Sequence, residues 1–484
     1  MEETAEVQLT EQQRAEQREH AQFERMTKTP IPRLIVSLGI PTMLNMMVTS
    51  LYNMADTLFV AGQGELAVGA VSVVLSLMSI IQAIGFTLGM GAGSLVSSLL
   101  GKRDQKGADT VSSVAFFSAL GIGLLMTVFG LIFVEPLMRL LGAKSEVGVD
   151  VTTLDYAQIY GRYILISAPI MCMSFVMNNL LRAQGKAVTS MIGLCTGAAL
   201  NIALDPILIN VAGMGVEGAA VATMISQSVS FGILMIIFFL SKKTITRIRF
   251  SALAGFFPVL WRVVVTGFPS FCRQILASLC TVLLNNLIAD IEGAQAAFGV
   301  VYKIFMLAFS IALGIGQGYQ PVLGYNYSAG CFKRVRSAYL FTLMFSTALM
   351  TVFAIVCGCI APFLMRTFLE TDSAREIGTA ALRYQCVAMP LLPVNFMAGL
   401  TYQVVGNKLA ATFLSVSRQG LFYIPLIFIM PRIAQLTGIE CMQAVSDVLS
   451  FLFALPFTFY FMRSLKKAEQ GEKSFETGGY YDGE

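Results

Sequence analysis

The stretch LGIP at residues 38–41 is matched much later in the chain by TGFP at residues 266–269. A second pair follows in the same order, with LGMGAG at 88–93 matched by LGIGQG at 313–318. Further pairs keep this order with slowly changing spacing: Gly101 and Gly324, Pro136 and Pro362, Arg162-Tyr163 and Arg383-Tyr384, and Gly185 and Gly406. An ordered series of this kind indicates that the chain holds two copies of one unit.

The composition indicates a protein that crosses a membrane many times. The chain has 484 residues, of which 56% are hydrophobic and only 13% are charged. Soluble domains carry about 25% charged residues. The nine cysteines form no CxxC pair, and the only histidine is His20 near the N-terminus. The apolar segments therefore contain no imidazole for acid–base chemistry or metal binding, which argues against a membrane enzyme.

A helix needs about 20 apolar residues to cross the hydrocarbon core of a bilayer. The sequence predicts twelve such segments: 33–61, 66–99, 110–134, 155–181, 187–211, 216–240, 263–289, 294–325, 337–361, 378–404, 408–431 and 441–463. Six segments fall in each copy, and six is even, so both copies enter the membrane in the same direction. We therefore predict an all-α polytopic membrane protein with two six-helix parallel repeats, related by a pseudo-twofold axis along the membrane normal. Such repeats are typical of secondary transporters.

Basic residues collect in the loops on one side of the predicted bundle. These residues are Lys28, Arg33, Lys102, Arg103, Lys106, Arg182, Lys186, Lys242, Lys243, Arg247, Arg249, Lys333, Arg334, Arg336, Lys408, Arg463, Lys466 and Lys467. Because cytoplasmic loops carry the excess of lysine and arginine, we expect this side, and both termini, to be cytoplasmic. The expected location is the plasma membrane of a bacterium.

The same pattern gives a domain organisation. We expect a polar cytoplasmic tail at 1–29, an N-lobe at 30–240, an amphipathic cytoplasmic linker at 241–262, a C-lobe at 263–463 and a second polar tail at 464–484. The linker is basic and contains Trp261, a composition typical of a segment that lies at the membrane interface. The N-terminal tail is interpreted as a short solvated helix.

Two aspartates lie inside the predicted membrane segments of the N-lobe. Asp205, in NIALDP at 201–206, is about 9 Å below the outer end of its helix, and Thr223 on the next helix is about 10 Å below, at 1.5 Å rise per residue. Asp56 also lies near the outer end of the first segment. Asn201 precedes Asp205 by one helical turn, so both share a face. An ionised residue inside a membrane faces the bundle interior and marks an ion or proton pathway by default.

Carboxylate, amide and hydroxyl oxygens form a hard ligand set that suits Na⁺ or protons. Paired acids also hold one proton more tightly than an isolated acid, because the second negative charge is disfavoured. Pro206 removes a backbone donor and is expected to loosen the helix at this point. The alternative is that Asp56 and Asp205 are structural and form hydrogen bonds within the lobe. For Thr223 in particular, the hydroxyl could instead form a hydrogen bond with a backbone carbonyl of its own helix.

The sequence resembles the multidrug and toxic compound extrusion (MATE) family, in its DinF-like or MepA-like branch. The resemblance covers about residues 30–465 and rests on the six-plus-six repeat and a few motifs. These motifs are the early Gly-x-Pro, YNMADTLFVAG at 52–62, LLRAQGK at 180–186 and the N-x-x-L-D-P that follows.

The resemblance implies a multidrug efflux transporter that is not an enzyme. An inward Na⁺ or H⁺ gradient would drive export of amphipathic, often cationic compounds by rocker-switch alternating access. It further implies a cation or proton site at Asp56, Asn201, Asp205 and Thr223, which would be the metal ligands if the ion is Na⁺. Candidates for an extended polar network or cavity are Tyr160, Asn178, Gln227, Asn285, Asn286 and Arg273. We expect no cofactor, no nucleic-acid partner and a monomer in the lipid bilayer.

The C-lobe departs from the branch of the family that also uses acids there. Arg273 and Lys303 lie in its helices instead, and they are interpreted as pairing with carbonyls and Asn285 or Asn286, or as lining the cavity. Asp447 is a candidate counter-ion for both. The alternative function is a flippase for a lipid-linked saccharide, or another exporter of the same superfamily. Such flippases often have more spans or a strongly basic cavity.

Overall fold

The computed structural model describes residues 11–61, 65–143, 152–240, 244–249 and 255–470, and most of these residues are helical. The α-helices are Glu11–Lys28 (α1), Ile31–Ala61 (α2), Glu65–Gly101 (α3), Gln105–Ile132 (α4), Val134–Leu140 (α5), Thr153–Ala183 (α6), Ala187–Pro206 (α7), Gly215–Met235 (α8), Phe256–Leu287 (α9), Ala294–Ser328 (α10), Phe332–Phe368 (α11), Asp372–Ala388 (α12), Leu392–Val405 (α13), Lys408–Val416 (α14) and Ile424–Glu469 (α15). Short π-helical turns follow α7, α8 and α14, and a 3₁₀ turn, Met389–Leu391, joins α12 to α13.

Eleven continuous helical segments in the described residues are long and apolar enough to cross a membrane, and the last of them holds two crossings. That segment runs over Lys408–Glu469. At 1.5 Å per residue it would extend about 90 Å, roughly three times the hydrocarbon core. The backbone leaves the helical region at Ala434 and Gln435, and the chain folds back there, so that Asp447 lies beside Arg418. The predicted twelve crossings are therefore present.

The two repeats pack against each other through equivalent pairs of helices, as a twofold axis requires. The first crossing of the first repeat, α2, packs against the second crossing of the other repeat, α10, and correspondingly α9 packs against α3. Inside the repeats, α3 packs on α6 and α10 packs on α12 and α13, while α2 packs on α7 and α9 packs on α14. The duplication read from the sequence is thus a structural repeat.

The two stretches LGIP and TGFP lie where the repeats cross. A Cβ added at Gly267 would overlap the backbone carbonyl of Thr87 on α3, and one added at Gly39 would stand 3.5 Å from the Cα of Ile315 on α10. Gly318, in the second matched motif, packs directly on Gly39. The glycines therefore let backbones approach closely, as they do in many membrane helix pairs.

These contacts lie toward the end of the bundle that carries Lys102, Arg103 and Lys333, called the basic end below. The described part of the predicted linker, residues 244–249, is held there by the N-lobe. Ile245 N donates to Gln184 Oε1 at 2.7 Å, and Arg247 N donates to Asp109 Oδ1 at 2.8 Å. Gly255, with φ of 74°, precedes the start of α9 at Phe256. Residues 256–262 therefore form the first turns of α9, so the boundary between the linker and the C-lobe helix lies at Phe256 and not after residue 262.

The N-terminal helix α1 also lies at the basic end and is not simply solvated. Met26, in its last turn, is fully buried and its carbonyl accepts a 2.9 Å hydrogen bond from Asn326 Nδ2 on α10. Arg334 Nη2 donates to Thr29 O at 2.6 Å, and Gln22 Nε2 donates to Gln184 O at 2.8 Å. The helix is thus tied to both repeats because its C-terminal turns carry apolar and amide side chains.

Candidate functional site

Three of the predicted site residues meet inside the N-lobe. Asn201 and Asp205 lie one turn apart on α7, and Thr223 faces them from α8; all three side chains are buried. Asn201 Nδ2 lies 3.3 Å from Asp205 Oδ1 and 3.4 Å from Thr223 Oγ1. The amide therefore bridges a carboxylate and a hydroxyl on two helices, as the shared face and shared depth predicted.

A polar cavity of about 50 Å³ opens beside this group. Its wall includes polar side chains from five helices: Thr49, Gln82, Ser174, Asn201, Thr223, Ser226, Gln227 and Ser230. Apolar side chains, among them Met171, Phe175 and Leu194, complete the wall, and Asp205 lies behind Asn201 and not on the wall itself. Within the described residues, Asn201 Oδ1, Ser174 Oγ and Ser226 Oγ are buried and have no hydrogen-bond partner. Buried polar atoms normally have partners. Three residues of the cavity wall therefore carry buried oxygen atoms whose hydrogen-bonding capacity is unused in the described structure, and a small cation or a water molecule could use it.

Asp56 is the remaining member of the predicted cation site. Its position lies on α2, but its side chain is outside the part of the structure that is described. Thr49, which lines the cavity, precedes it by two helical turns, so both positions lie on the same face of α2. Asp205 likewise lies one turn beyond Asn201, toward the same end of the bundle. The placement of Asp56 on this face agrees with a shared site and stays a prediction.

The helix changes its geometry directly after the NIALDP motif. Pro206 ends α7, and Ile207–Val211 forms a π-helical turn in which Ala212 N donates to Ile207 O at 2.8 Å. Proline lacks a backbone donor and removes one helical hydrogen bond. π-Helical turns of this kind are frequent at functional sites. The expected loosening of the helix is thus present, and it begins two residues past Asp205.

The other N-lobe candidates divide into two groups. Gln227 lines the polar cavity, one turn after Thr223. Asn178 is buried elsewhere, with Nδ2 3.4 Å from Ser190 O at the basic end of α7, and it does not line the cavity. Tyr160 is buried in α6 and is also not among the residues of the cavity wall. Gln227 thus shares the cavity wall with Asn201 and Thr223, while Asn178 and Tyr160 are separate from this cavity.

Sequence reasoning identified Thr223 and Gln227 but missed Ser226 and Ser230 on the same wall. The four residues have the i, i+3, i+4, i+7 spacing of one helical face, so the polar stripe was visible in the sequence. Gln82 and Ser174 carry no such signal. They reach the cavity only because α6 packs against α7 and α8, and α3 packs against α6.

A larger cavity of about 230 Å³ lies between the repeats. Helices α2 and α3 form one side of it, and α9, α10, α13 and α14 form the other. Its charged wall residues in the described structure are Arg273 on α9 and Arg418 on the π-helical turn after α14. Thr49 lines both this cavity and the small polar one, so α2 is the common wall of the two.

Asp447 is the counter-ion of Arg418, and the expectation that it pairs with Arg273 and Lys303 is wrong. Arg418 Nε donates to Asp447 Oδ1 at 2.6 Å, and Asp447 also accepts hydrogen bonds from Gln385 Nε2 and Gln443 Nε2, at 2.7 and 3.0 Å. The pairing depends on the fold-back at residues 434–435, which places the last crossing against the π-helical turn. Sequence reasoning did not identify Arg418.

Asn285 and Asn286 do not belong to either cavity. Both are exposed near the end of α9 opposite the basic end, and neither has a hydrogen bond to Arg273 in the described structure. Lys303 is also exposed. The three side chains point away from the cavities because they lie on other faces of α9 and α10. Of the C-lobe candidates, Arg273 alone lines the central cavity.

Comparisons with known proteins agree with this architecture. The MatE family model matches residues 41–207 and 269–429, one segment in each repeat. The chain is 26% identical over 434 residues to the Multidrug export protein MepA of Staphylococcus aureus strain MRSA252, covering 88% of this chain and 93% of that protein.

Two solved structures have the same fold. One is described as MATE in complex with MaL6, with a TM-score of 0.85 and 27% identity over 92% of this chain and 99% of that one. The other is described as the outward-facing conformation of a multidrug resistance MATE family transporter, with a TM-score of 0.86, 27% identity and coverage of 92% and 98%. The chain is therefore a multi-pass membrane protein that belongs to the MATE family of transporters.

Proposed function

We propose that the chain is an exporter that moves amphipathic compounds out of a bacterial cell and is driven by Na⁺ or H⁺ entering it. One observation carries the proposal: Asp205 is fully buried in the N-lobe and is joined through Asn201 to Thr223, beside a polar cavity. Burying an ionised carboxylate at this depth costs free energy, and such residues in membrane proteins generally bind an ion or a proton.

The chemistry of the group favours a small hard cation or a proton. The ligand atoms available are oxygens of carboxylate, amide and hydroxyl groups, the set that hard cations prefer. Asp205 can instead take up a proton and become neutral. Cation binding would neutralise the carboxylate in either case, so the same site serves Na⁺ or H⁺ in this proposal.

Coupling to export follows from the shared wall. Thr49 on α2 lines both the N-lobe cavity and the central cavity. Asp56, on the same face of α2, would add a second carboxylate to the cation site. Occupancy that changes the attraction between α2 and α7 would therefore shift a wall of the central cavity. A ligand shifts such an equilibrium only by its difference in affinity for the two states.

Alternating access would use the contact between the repeats. The close glycine contacts between α2 and α10 and between α3 and α9 lie toward the basic end, which we take as cytoplasmic from its charge. With this end closed, the arrangement corresponds to a state that releases substrate outward. Rocking of the two lobes would separate these contacts and open the opposite path.

The nature of the cargo is proposed from the cavity and from the relatives. The central cavity combines Tyr302, Phe309 and Phe396 with polar groups such as Asn395 and Gln419, which suits compounds with an aromatic body and polar substituents. The MepA protein named above is called a multidrug export protein. This relationship favours a drug exporter over the lipid-linked saccharide flippase.

Transport by the purified protein tests the proposal. Proteoliposomes that contain DNA are prepared with either Na⁺ or protons at higher concentration inside than outside, each gradient alone. Ethidium is added outside, and its accumulation is followed by the fluorescence that it gains on binding the enclosed DNA. We expect one of the gradients to drive accumulation. Asp205→Asn should reduce it to the level of liposomes without protein, whereas Asp290→Asn, at an exposed position, should not. Equal accumulation with Asp205→Asn, or no response to either gradient, would refute the proposal.

A further inference from the structure

Arg273 is a cation in the central cavity that has no acidic partner among the described residues. Its side chain makes no ion pair there, and its described contact is with Phe396, whose ring centre lies 5.2 Å from the guanidinium carbon. Arginine keeps its positive charge at physiological pH. A charge away from bulk water is costly unless it is paired, so the position calls for an anionic partner.

Arg418 on the facing wall has an unused hydrogen-bond donor in the described structure. Its Nε is used by Asp447, but Nη2 is buried and has no partner in the described structure. The guanidinium carbon lies 4.8 Å from the ring centre of Phe305 and 5.8 Å from that of Phe309. Asp447 balances one of the two arginines, so the arginine pair with its counter-ion keeps one net positive charge.

The surroundings of this charge are suited to an aromatic ligand. Phe396 lies beneath Arg273 and packs edge-to-face on Phe309, with ring centres 5.8 Å apart. A planar guanidinium binds carboxylates through two parallel hydrogen bonds, which fixes the orientation of the acid. An aromatic ring attached to that acid would then lie against the phenylalanine pair.

We propose that the central cavity binds amphipathic compounds that carry a carboxylate, either anions or zwitterions, and that Arg273 holds the acid. Compounds with only a positive charge bind less well because the net charge of the wall repels them. This inference rests on the proposed export function for its biological meaning. The binding preference itself is a property of the cavity and is measurable without transport.

A pair of dyes that differ in one group provides the test. Rhodamine 110 carries a free carboxylate and is a zwitterion, and rhodamine 123 is its methyl ester and a cation. Binding of each to the purified full chain in detergent is measured by fluorescence polarisation. We expect the wild-type protein to bind rhodamine 110 more tightly, by about tenfold or more, as for a hydrogen-bonded charged group. Equal affinities, or tighter binding of the ester, overturn the proposal.

Variants then locate the recognition. Arg273→Gln should weaken the binding of rhodamine 110 by about tenfold, because the partner of its carboxylate is lost. The same change should tighten the binding of rhodamine 123, because a positive charge that repels this cation is gone. Arg273→Lys keeps the charge but not the planar fork, so it should retain part of the preference. Arg139→Gln, on the exposed surface, is the control for arginine removal and should behave as the wild type. An unchanged dye preference in Arg273→Gln, with an unchanged size-exclusion profile, overturns the assignment to Arg273.

The two proposals fail in different ways. If the wild-type protein binds both dyes but moves neither into proteoliposomes under any gradient, the exporter proposal fails and the dye affinities still decide acid recognition. If it transports ethidium and rhodamine 123 but does not prefer rhodamine 110, the exporter proposal stands and acid recognition fails.

Discussion

Asp447 Oδ1 lies 2.6 Å from Arg418 Nε, which joins the last two crossings of the second repeat by a buried ion pair. The Asp447 side chain is fully buried and that of Arg418 is 13% exposed. Two glutamines, Gln385 and Gln443, complete the carboxylate's hydrogen bonds. Such a pair adds little stability over a well-packed apolar pair, but loss of one partner leaves an uncompensated charge.

Asp447→Asn is therefore expected to destabilise the protein by about 3–5 kcal/mol, because Arg418 loses its counter-ion. The double variant Arg418→Met/Asp447→Leu should recover most of this loss. Thermal unfolding in detergent, followed by the decay of the monodisperse size-exclusion peak, measures both effects. Glu135→Gln breaks the exposed pair with Arg139 and should change stability by only about 0–1 kcal/mol. Equal stability of the Asp447→Asn and Glu135→Gln variants would contradict the role of burial.

The hydroxyl of Thr223 is expected to contribute to the N-lobe site. Thr223→Val keeps the shape but removes the oxygen 3.4 Å from Asn201 Nδ2, and should lower gradient-driven ethidium transport by about fivefold, as expected for one hydrogen bond. Thr223→Ser restores the oxygen and should restore most of the rate. Thr196→Val, at an exposed threonine of α7, is the control. A Thr223→Val protein as active as Thr196→Val would place the threonine outside the site.

Gly267 is expected to tolerate no side chain. The Cβ of Gly267→Ala would overlap the Thr87 carbonyl, and overpacking typically costs about 1–3 kcal/mol. We expect a lower unfolding temperature and weaker transport, because the repeats can no longer close at the basic end. Gly121→Ala is the matched control, since a Cβ there has no neighbour within 4 Å. A Gly267→Ala protein as stable as Gly121→Ala would show that α3 and α9 do not pack this closely.

Docking of the N-terminal helix is expected to depend on Asn326. Its Nδ2 donates to Met26 O, and its Oδ1 accepts from Arg334 Nε, each at 2.9 Å. Asn326→Ala removes both contacts and should release α1, so that trypsin cleaves faster after Lys28. Gel analysis of a cleavage time course measures this rate. Asn285→Ala, at an exposed asparagine, should leave the rate unchanged, and a similar rate in both variants would argue against the docking.

Much of the fold was predictable because it depends on the length of the apolar segments and on the even number of crossings in each repeat. Apolar segment length gave twelve crossings, and the ordered motif pairs gave the duplication with parallel halves. The helix boundaries were harder to predict where the hydropathy does not change between the loop and the helix, as at the start of α9. There the helix begins at Phe256, after a left-handed glycine that the hydropathy pattern does not reveal.

The site was predictable where its residues share one helix. Asn201 and Asp205 are one turn apart, so their common face follows from helical geometry alone. Depth from the membrane surface then selected Thr223 on the neighbouring helix. Asn285 and Asn286 were selected by polarity without a test of the face they occupy, and the structure shows them exposed.

The sequence alone thus determined the number of crossings, the repeat and the pairing of Asn201 with Asp205, since each follows from spacing along one chain. Tertiary structure decided which faces of different helices meet. It placed Asp447 beside Arg418, made Thr49 the shared wall of two cavities and left Arg273 facing the central cavity with no acidic partner among the described residues. The physical reason is that these relationships depend on the fold-back at residues 434–435 and on packing between helices far apart in sequence.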